Sequence, residues 1–134
     1  MTYLIDTNII IFALKDPQRE VAKRLALTSP DQIALSAVVE AELYHGAEKY
    51  ALSERRRMQL TDFLSLYPRL PFDSRCVSHY ANTRHHLEIN GEVIGGNDLL
   101  IAATALAHGL TLITHNSSEF ARVPGLLWED WAVS

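Results

Sequence analysis

An α/β domain with a mostly parallel sheet, in which helix outweighs strand, is the fold class this sequence predicts. Three observations point there. Short apolar runs at Tyr3-Leu4-Ile5, Ile33-Ala34-Leu35 and Leu110 to Thr114 read as buried strands. Longer segments with helical periodicity separate them, each opened by a capping residue or closed by glycine or proline. Strands that alternate with helices form βαβ units, whose parallel sheet is covered on both faces.

In chain order, Tyr3-Leu4-Ile5 is the first strand, ended by polar Asp6-Thr7-Asn8. Asp6 or Asn8 can cap the short apolar helix Ile9 to Leu14. Pro17 suits the first turn of a second helix reaching Leu27, with Arg19, Glu20, Lys23 and Arg24 as its wet face. After the second strand, Ser36 caps a helix from Ala37 to about Tyr50. Ser53 opens another, running through Arg55-Arg56-Arg57 to Tyr67, and Pro68 stops it. Leu70 to Phe72 is a candidate third strand. Asp73 or Ser74 caps a helix to Asn90, which Gly91 ends. Ile94-Gly95-Gly96 is a loop, Asn97 caps Asp98 to His108, and Gly109 stops that helix. Leu110 to Thr114 is the clearest strand. A short turn holds Glu119 and Phe120, and Leu126 to Trp128 is a candidate last strand.

The 134 residues, 48% hydrophobic and 21% charged, fit one globular domain (1–134) with a continuous core. A formal charge of −4 argues against a general nucleic-acid coat protein, which would be basic. It leaves room for a nuclease, because carboxylates gathered for a metal lower the formal charge. Cys76 is the only cysteine, so neither an intrachain disulfide nor a cysteine zinc site can form. The N-terminal residues carry no basic region, and Ile9 to Leu14 is too short for a signal core or a membrane span. A cytoplasmic location is expected.

The chemistry lies in acids at strand ends and helix starts. Asp6 sits at the carboxyl end of the first strand, the edge where open α/β sheets bind ligands, although it can also simply cap the next helix. Glu42 lies between apolar Val39 and Leu43 on its helix, where a carboxylate is costly without a cation or donors. A lone helical Glu more often pairs with a base. Asp98 opens a helix that is otherwise almost wholly apolar, and the helix dipole alone would favour it there. Asn116 and Glu119 follow the clearest strand, at the same predicted edge as Asp6. Acids converging on one cleft repel each other unless a cation is present. Their oxygen ligands suit Mg²⁺ or Mn²⁺, and such a site can drive phosphodiester hydrolysis with an activated water.

These residues carry a resemblance. Tyr3 to Asn8 resembles the opening of PIN-domain proteins. Val39-Glu40-Ala41-Glu42-Leu43-Tyr44-His45-Gly46 is similar to their second motif. Arg84, Leu87, Gly91, Ile94, Gly95 and Asp98 with Leu100-Ile101-Ala102-Ala103 resemble the third. Leu112 to Asn116, Glu119-Phe120, Val123 to Leu126 and Glu129-Asp130-Trp131 resemble the closing segment of VapC toxins. The resemblance implies a PIN-like three-layer α/β/α fold with a five-stranded, mostly parallel sheet. It implies a Mg²⁺-dependent endoribonuclease, Mn²⁺ able to substitute, that is the toxin of a VapBC-type toxin–antitoxin pair. Its partners would be a VapB-type antitoxin, an RNA substrate with tRNA among the candidates, and a second copy of itself, but no membrane. Asp6, Glu42 and Asp98 carry over as catalytic and metal-binding acids. Glu119 is taken as the fourth, with Asn116 a neutral neighbour where many relatives have Asp. Thr7, Asn8, Arg84, Thr114 and Asn116 are the implied substrate or supporting groups. Gly96 replaces a frequent proline and loosens the loop before Asp98.

Other features weigh less. Arg55-Arg56-Arg57 is more readily a solvated helix face than an RNA contact. His85 and His86 are adjacent and so point to different helix faces. Trp128 and Trp131 suit packing better than base stacking. A phosphoacceptor receiver domain would want a second acid beside Asp6, where Thr7 stands. A haloacid-dehalogenase-like phosphatase would want Asp where Asn8 stands. A PIN-fold binding module without catalysis is the remaining alternative, kept open by Asn116.

Overall fold

The computed structural model describes residues 1–49 and 53–132. Five strands and seven α-helices follow in order: β1 Tyr3–Ile5, α1 Thr7–Lys15, α2 Glu20–Leu27, β2 Ile33–Ser36, α3 Ala37–Glu48, α4 Ser53–Leu64, β3 Arg69–Leu70, α5 Ser74–Ile89, α6 Gly96–His108, β4 Thr111–Ile113, α7 Ser117–Phe120 and β5 Trp128–Glu129. A single turn of 3₁₀ helix, Pro30–Gln32, leads into β2.

The strand order is β3-β2-β1-β4-β5, and every pairing is parallel rather than mostly so. The sheet grows outward from β1 to β2 and β3, then returns to the other side of β1 for β4 and β5. That reversal makes the gap between β1 and β4 a topological switch point, the place where a parallel sheet opens a crevice at its carboxyl edge. The register aligns Leu4 with Leu112 and Ile5 with Ile113, so the next residues, Asp6 and Thr114, emerge side by side. On the other flank Leu4 aligns with Ala34, which brings Ser36 and the start of α3 to the same edge.

One apolar core fills both faces. Leu4, Ile9, Ile33, Leu112 and Phe120 have no exposed surface, and Ile101, Ala102 and Ala105 of α6 are equally buried. This explains the nearly all-apolar sequence of α6, which packs along α5 and touches the sheet. Gly109 ends α6 at φ 63, a left-handed conformation that favours glycine, as expected for a C-terminal stop.

Local chemistry moves several boundaries from the expected ones. Pro17 does not start α2: Asp16 accepts the Gln18 N–H at 2.9 Å and the Arg19 N–H bonds the Asp16 carbonyl, so a turn intervenes and the helix begins at Glu20. The fourth helix stops at Leu64 instead of Tyr67, where the Arg69 guanidinium caps the Leu64 and Tyr67 carbonyls. The third strand is Arg69–Leu70 rather than Leu70 to Phe72, because the Leu35 N–H takes the Pro68 carbonyl and sets the pairing earlier. The last is Trp128–Glu129 rather than Leu126 to Trp128, since β4 bonds the carbonyls of Leu127 and Glu129 while Leu126 turns into the core. Asn97 does not cap α6: the N-cap is Gly95, without a side-chain bond, and Asn97 lies inside the helix. The expected end of the third helix at Tyr50 lies outside the described residues.

Leu4 sits on the central strand with no exposure, whereas Leu27 is 88% exposed. Leu4→Ala should cost about 2–5 kcal/mol and Leu27→Ala within about 0.5 kcal/mol, read from urea unfolding midpoints.

Candidate active site

The crevice at the switch point collects acids from four elements. Asp6 leaves the end of β1 and is only 4% exposed. Its backbone N–H bonds the Ile113 carbonyl at 2.8 Å, continuing the ladder one residue past the strand. Its side chain is held at both oxygens: the Thr7 N–H donates to Oδ1 at 2.8 Å and the Thr114 hydroxyl to Oδ2 at 2.7 Å. Asp6 is thus both the N-cap of α1 and a site acid. The cap is therefore real, and it leaves the same carboxyl within electrostatic reach of Asp98.

Glu42 reaches the crevice from α3. The Thr7 hydroxyl donates to its Oε1 at 2.6 Å, and the Asn97 amide donates to Oε2 at 3.3 Å. Asn97 is the residue that sequence reasoning missed. A cap was assigned to it, yet in the first turn of α6 its amide faces an acid on a neighbouring helix. Its place directly before Asp98 was the available signal.

Asp98 and Glu119 complete the group. The Asn116 amide donates to Asp98 Oδ2 at 3.2 Å and to Glu119 Oε2 at 2.7 Å, bridging the two carboxyls. The Asn116 N–H in turn bonds the Thr114 hydroxyl at 3.0 Å, which ties this pair to Asp6. Asn116 and Glu119 thus both belong to the group, the amide clasping the two carboxyls together.

Crowding sets the protonation. Burial pushes the Asp6 carboxyl up, opposed by the bonds from Thr114 and Thr7, while the Glu42 charge raises it further. Asp98 is pushed up to about 8, first by burial, then by its hydrogen bond to Glu119 and by the charges of Asp6, Glu119 and Glu42. Glu119 moves down, chiefly because it accepts that same hydrogen bond. The opposite shifts belong to the pair, which retains a proton that separate carboxyls would lose.

The donor set is all oxygen, which fits a hard divalent cation. Among the described residues no three acidic, histidine or cysteine side chains already ring a common point. With both Asp6 oxygens bonded internally, the arrangement fits a hydrated ion held partly through water better than a closed cage. Two other candidates make no bond to the four acids among the described residues. Asn8 is exposed. Arg84 donates to Tyr80 Oη at 2.9 Å and pairs with Glu88, both on its own helix, α5.

Comparison with known proteins places this architecture. The PIN domain model matches residues 3–126. The chain belongs to the PIN-domain family. Among its PIN-domain relatives, Ribonuclease VapC2 of Rickettsia felis is 39% identical over 98% of both chains. The tRNA(fMet)-specific endonuclease VapC of Shigella flexneri is 35% identical, over 98% of this chain and 99% of that one. Similar PIN structures occur in VapBC2 from Rickettsia felis bound to a promoter DNA fragment (TM-score 0.91, 38% identity, covering 98% of this chain and 99% of that one). They also occur in DNA-bound VapBC from Salmonella typhimurium (TM-score 0.92, 32% identity, 98% of both chains).

Two outcomes are expected. Folded Asp98 holds its proton until about pH 8, whereas the unfolded chain loses it near the ordinary 3.8. The native state binds the extra proton in that window, so stability from this group is complete below about pH 4 and is lost as pH rises through about 8. Asp98→Asn should therefore raise the Tm of metal-free protein increasingly as pH rises from about 4 to 8, by about 4 °C for each kcal/mol of repulsion relieved, and change it little below about pH 4. Thr114→Val leaves Asp6 Oδ2 and the Asn116 N–H without their partner, and should cost about 1–3 kcal/mol in denaturant unfolding.

Proposed function

We propose that this PIN-domain chain is a Mg²⁺-dependent endoribonuclease, with Mn²⁺ able to substitute, and the toxin of a toxin–antitoxin pair. The observation that carries the reading is the meeting of Asp6, Glu42, Asp98 and Glu119 at the switch point, linked through Thr7, Thr114 and Asn116. The names of the VapC relatives support the same chemistry.

Asp6 and Asp98 would hold the ion, directly or through water, with Glu42 and Glu119 completing its surroundings. When bound, Mg²⁺ would supply positive charge to a phosphate oxygen and lower the pKa of a water. The chain's own groups do the rest. Thr114 and the Thr7 N–H keep Asp6 oriented. Thr7 and Asn97 orient Glu42, and Asn116 holds Asp98 against Glu119. The Asp98–Glu119 proton must leave before both carboxylates can face a cation, so ion binding releases a proton. Arg84 receives no catalytic role in this scheme.

The structures of VapBC complexes supply the model for partners. A cleft of about 360 Å³ between α1, α3 and α4 is lined by Ile11, Leu14, Leu43 and Leu60, rimmed by Lys15 and Arg56, and reaches Glu42. We assign it to an apolar segment of the antitoxin, whose following residues would cover the acids. A homodimer within the toxin–antitoxin assembly completes this reading. No described helix is long and apolar enough to cross a membrane, and we place the protein with its RNA in the cytoplasm.

Asp6→Asn and Asp98→Asn should each lower kcat/KM for RNA by about 100-fold or more in proteins that keep their circular dichroism. Products should carry 5′-phosphate and 3′-hydroxyl ends, and a chelator should abolish cleavage until Mg²⁺ or Mn²⁺ is restored. Metal-independent cleavage to a cyclic phosphate overturns the mechanism. Mg²⁺ binding by calorimetry without any cleavage would favour a binding module, the reading that neutral Asn116 suggests.

A further inference from the structure

An acidic chain that cuts RNA must offset the repulsion between its own carboxylates and the strand beside the scissile phosphate. One group of side chains next to the cluster suits that purpose and lies outside the acidic machinery. His115 stands between Thr114, which bonds Asp6, and Asn116, which bonds Asp98 and Glu119. The Thr114 side chain is fully buried against Asp6, whereas the half-exposed His115 ring lies against the Phe12 ring of α1, at 5.5 Å between centroids and 72° between planes. The Arg19 guanidinium lies over the same ring, 4.3 Å from its centroid.

The donors are left free by their surroundings. His115 Nδ1 lies 2.9 Å from Asp130 Oδ2, and a carboxylate can only accept, so Nδ1 carries a hydrogen; Nε2 is left for solvent or ligand and donates to a phosphate oxygen when the ring is protonated. The His115 side chain is 48% exposed and that of Asp130 only 12%, so the carboxylate is an anchor and the ring its exposed end. Arg19 is exposed and makes no ion pair among the described residues, whereas Arg24, Arg57, Arg69, Arg75 and Arg84 each do.

We infer that Arg19 and His115, gathered around Phe12 and oriented by Asp130, form a subsite for the phosphate of an RNA strand that flanks the scissile one. The inference rests on the nuclease reading above for the direction of the strand. His115 is engaged with Phe12 and Asp130 and bonds none of the four acids, so it is assigned to a neighbouring phosphate and not to bond breaking. Phe12 and Asp130 are positioning residues. The Phe12 ring is already covered by Arg19 and His115, which excludes it as a base-stacking platform.

The test uses the full chain and a fluorescein-labelled single-stranded oligoribonucleotide of mixed sequence, with anisotropy in EDTA and steady-state cleavage in Mg²⁺. Arg19→Ala and His115→Ala should each weaken binding by about 3–10-fold, and Arg19→Ala should lower the salt slope by about one. KM should rise by a similar factor with kcat nearly unchanged. His115→Gln, whose amide can donate in place of Nε2, should recover part of the loss. Phe12→Leu should weaken binding in the wild-type background and add a smaller loss, through His115 alone, in Arg19→Ala. Arg75→Ala, which removes a charge paired with Asp73 away from the cluster, should leave binding unchanged. Unchanged affinity and KM in Arg19→Ala and His115→Ala overturn the subsite. A wild-type chain that binds RNA through these residues but never cleaves it sinks the nuclease reading and leaves the subsite standing.

Discussion

The hydrogen bond from the Thr114 hydroxyl to Asp6 is the contact on which the rest of the site depends. Both residues lie one step beyond paired strands, so the bond forms only because β1 and β4 are parallel neighbours in a single register. A slip of one residue would turn Asp6 into the core face and Thr114 out of it. The same hydroxyl accepts the Asn116 N–H, and Asn116 holds Asp98 and Glu119. One threonine thus links the buried acid of the first strand to the acids of two later helices. Its complete burial keeps water from competing for either bond.

Gathering four carboxylates in one crevice is electrostatically unfavourable, and the fold offsets that cost with fixed donors rather than with fixed cations. Two threonine hydroxyls, two amides and one backbone N–H serve the acids. The ion pairs of Arg24, Arg57, Arg69, Arg75 and Arg84 go to other acids, and the Arg122 charge helps hold Glu119 down. Neutral donors orient a carboxylate without neutralising it, so its charge stays available to a cation. The proton held between Asp98 and Glu119 absorbs part of the remaining repulsion. In the proposed scheme a bound cation would take the place of that proton. Asn116 contributes because it is neutral: an acid there would add charge and remove the clasp.

Positive charge is kept at the periphery. Arg19 rests on Phe12, Arg24 rests on Trp131 while pairing with Glu129, and His115 is anchored by Asp130. Aromatic side chains serve here as supports for cations on α2 and beside β5. Trp131 itself is 3% exposed and packs edge-on against Tyr3, in keeping with the packing role expected for it. Net charge and local charge are thus separate matters in this molecule, and the formal −4 says little about the surface beside the crevice.

The sequence by itself determined the alternation of strands and helices, because apolar runs and caps are local signals, and motif order singled out Asp6, Glu42 and Asp98. It could not set the start of α2 after Pro17 or the pairing of β3 and β5. Those boundaries follow from a side-chain turn at Asp16 and from which carbonyls a neighbouring strand reaches. Asn97 read as a cap because capping is the local preference of Asn, and its bond to Glu42 spans 55 residues. Asn116 and Glu119 read as alternatives because nothing local shows one amide reaching two acids. Tertiary structure decided that set of partners, the shared proton and the grouping of Arg19 and His115 around Phe12. Each depends on distances between segments that only the parallel register of β1 and β4 and the packing of α1, α3 and α6 around it bring within hydrogen-bonding or ring-contact range.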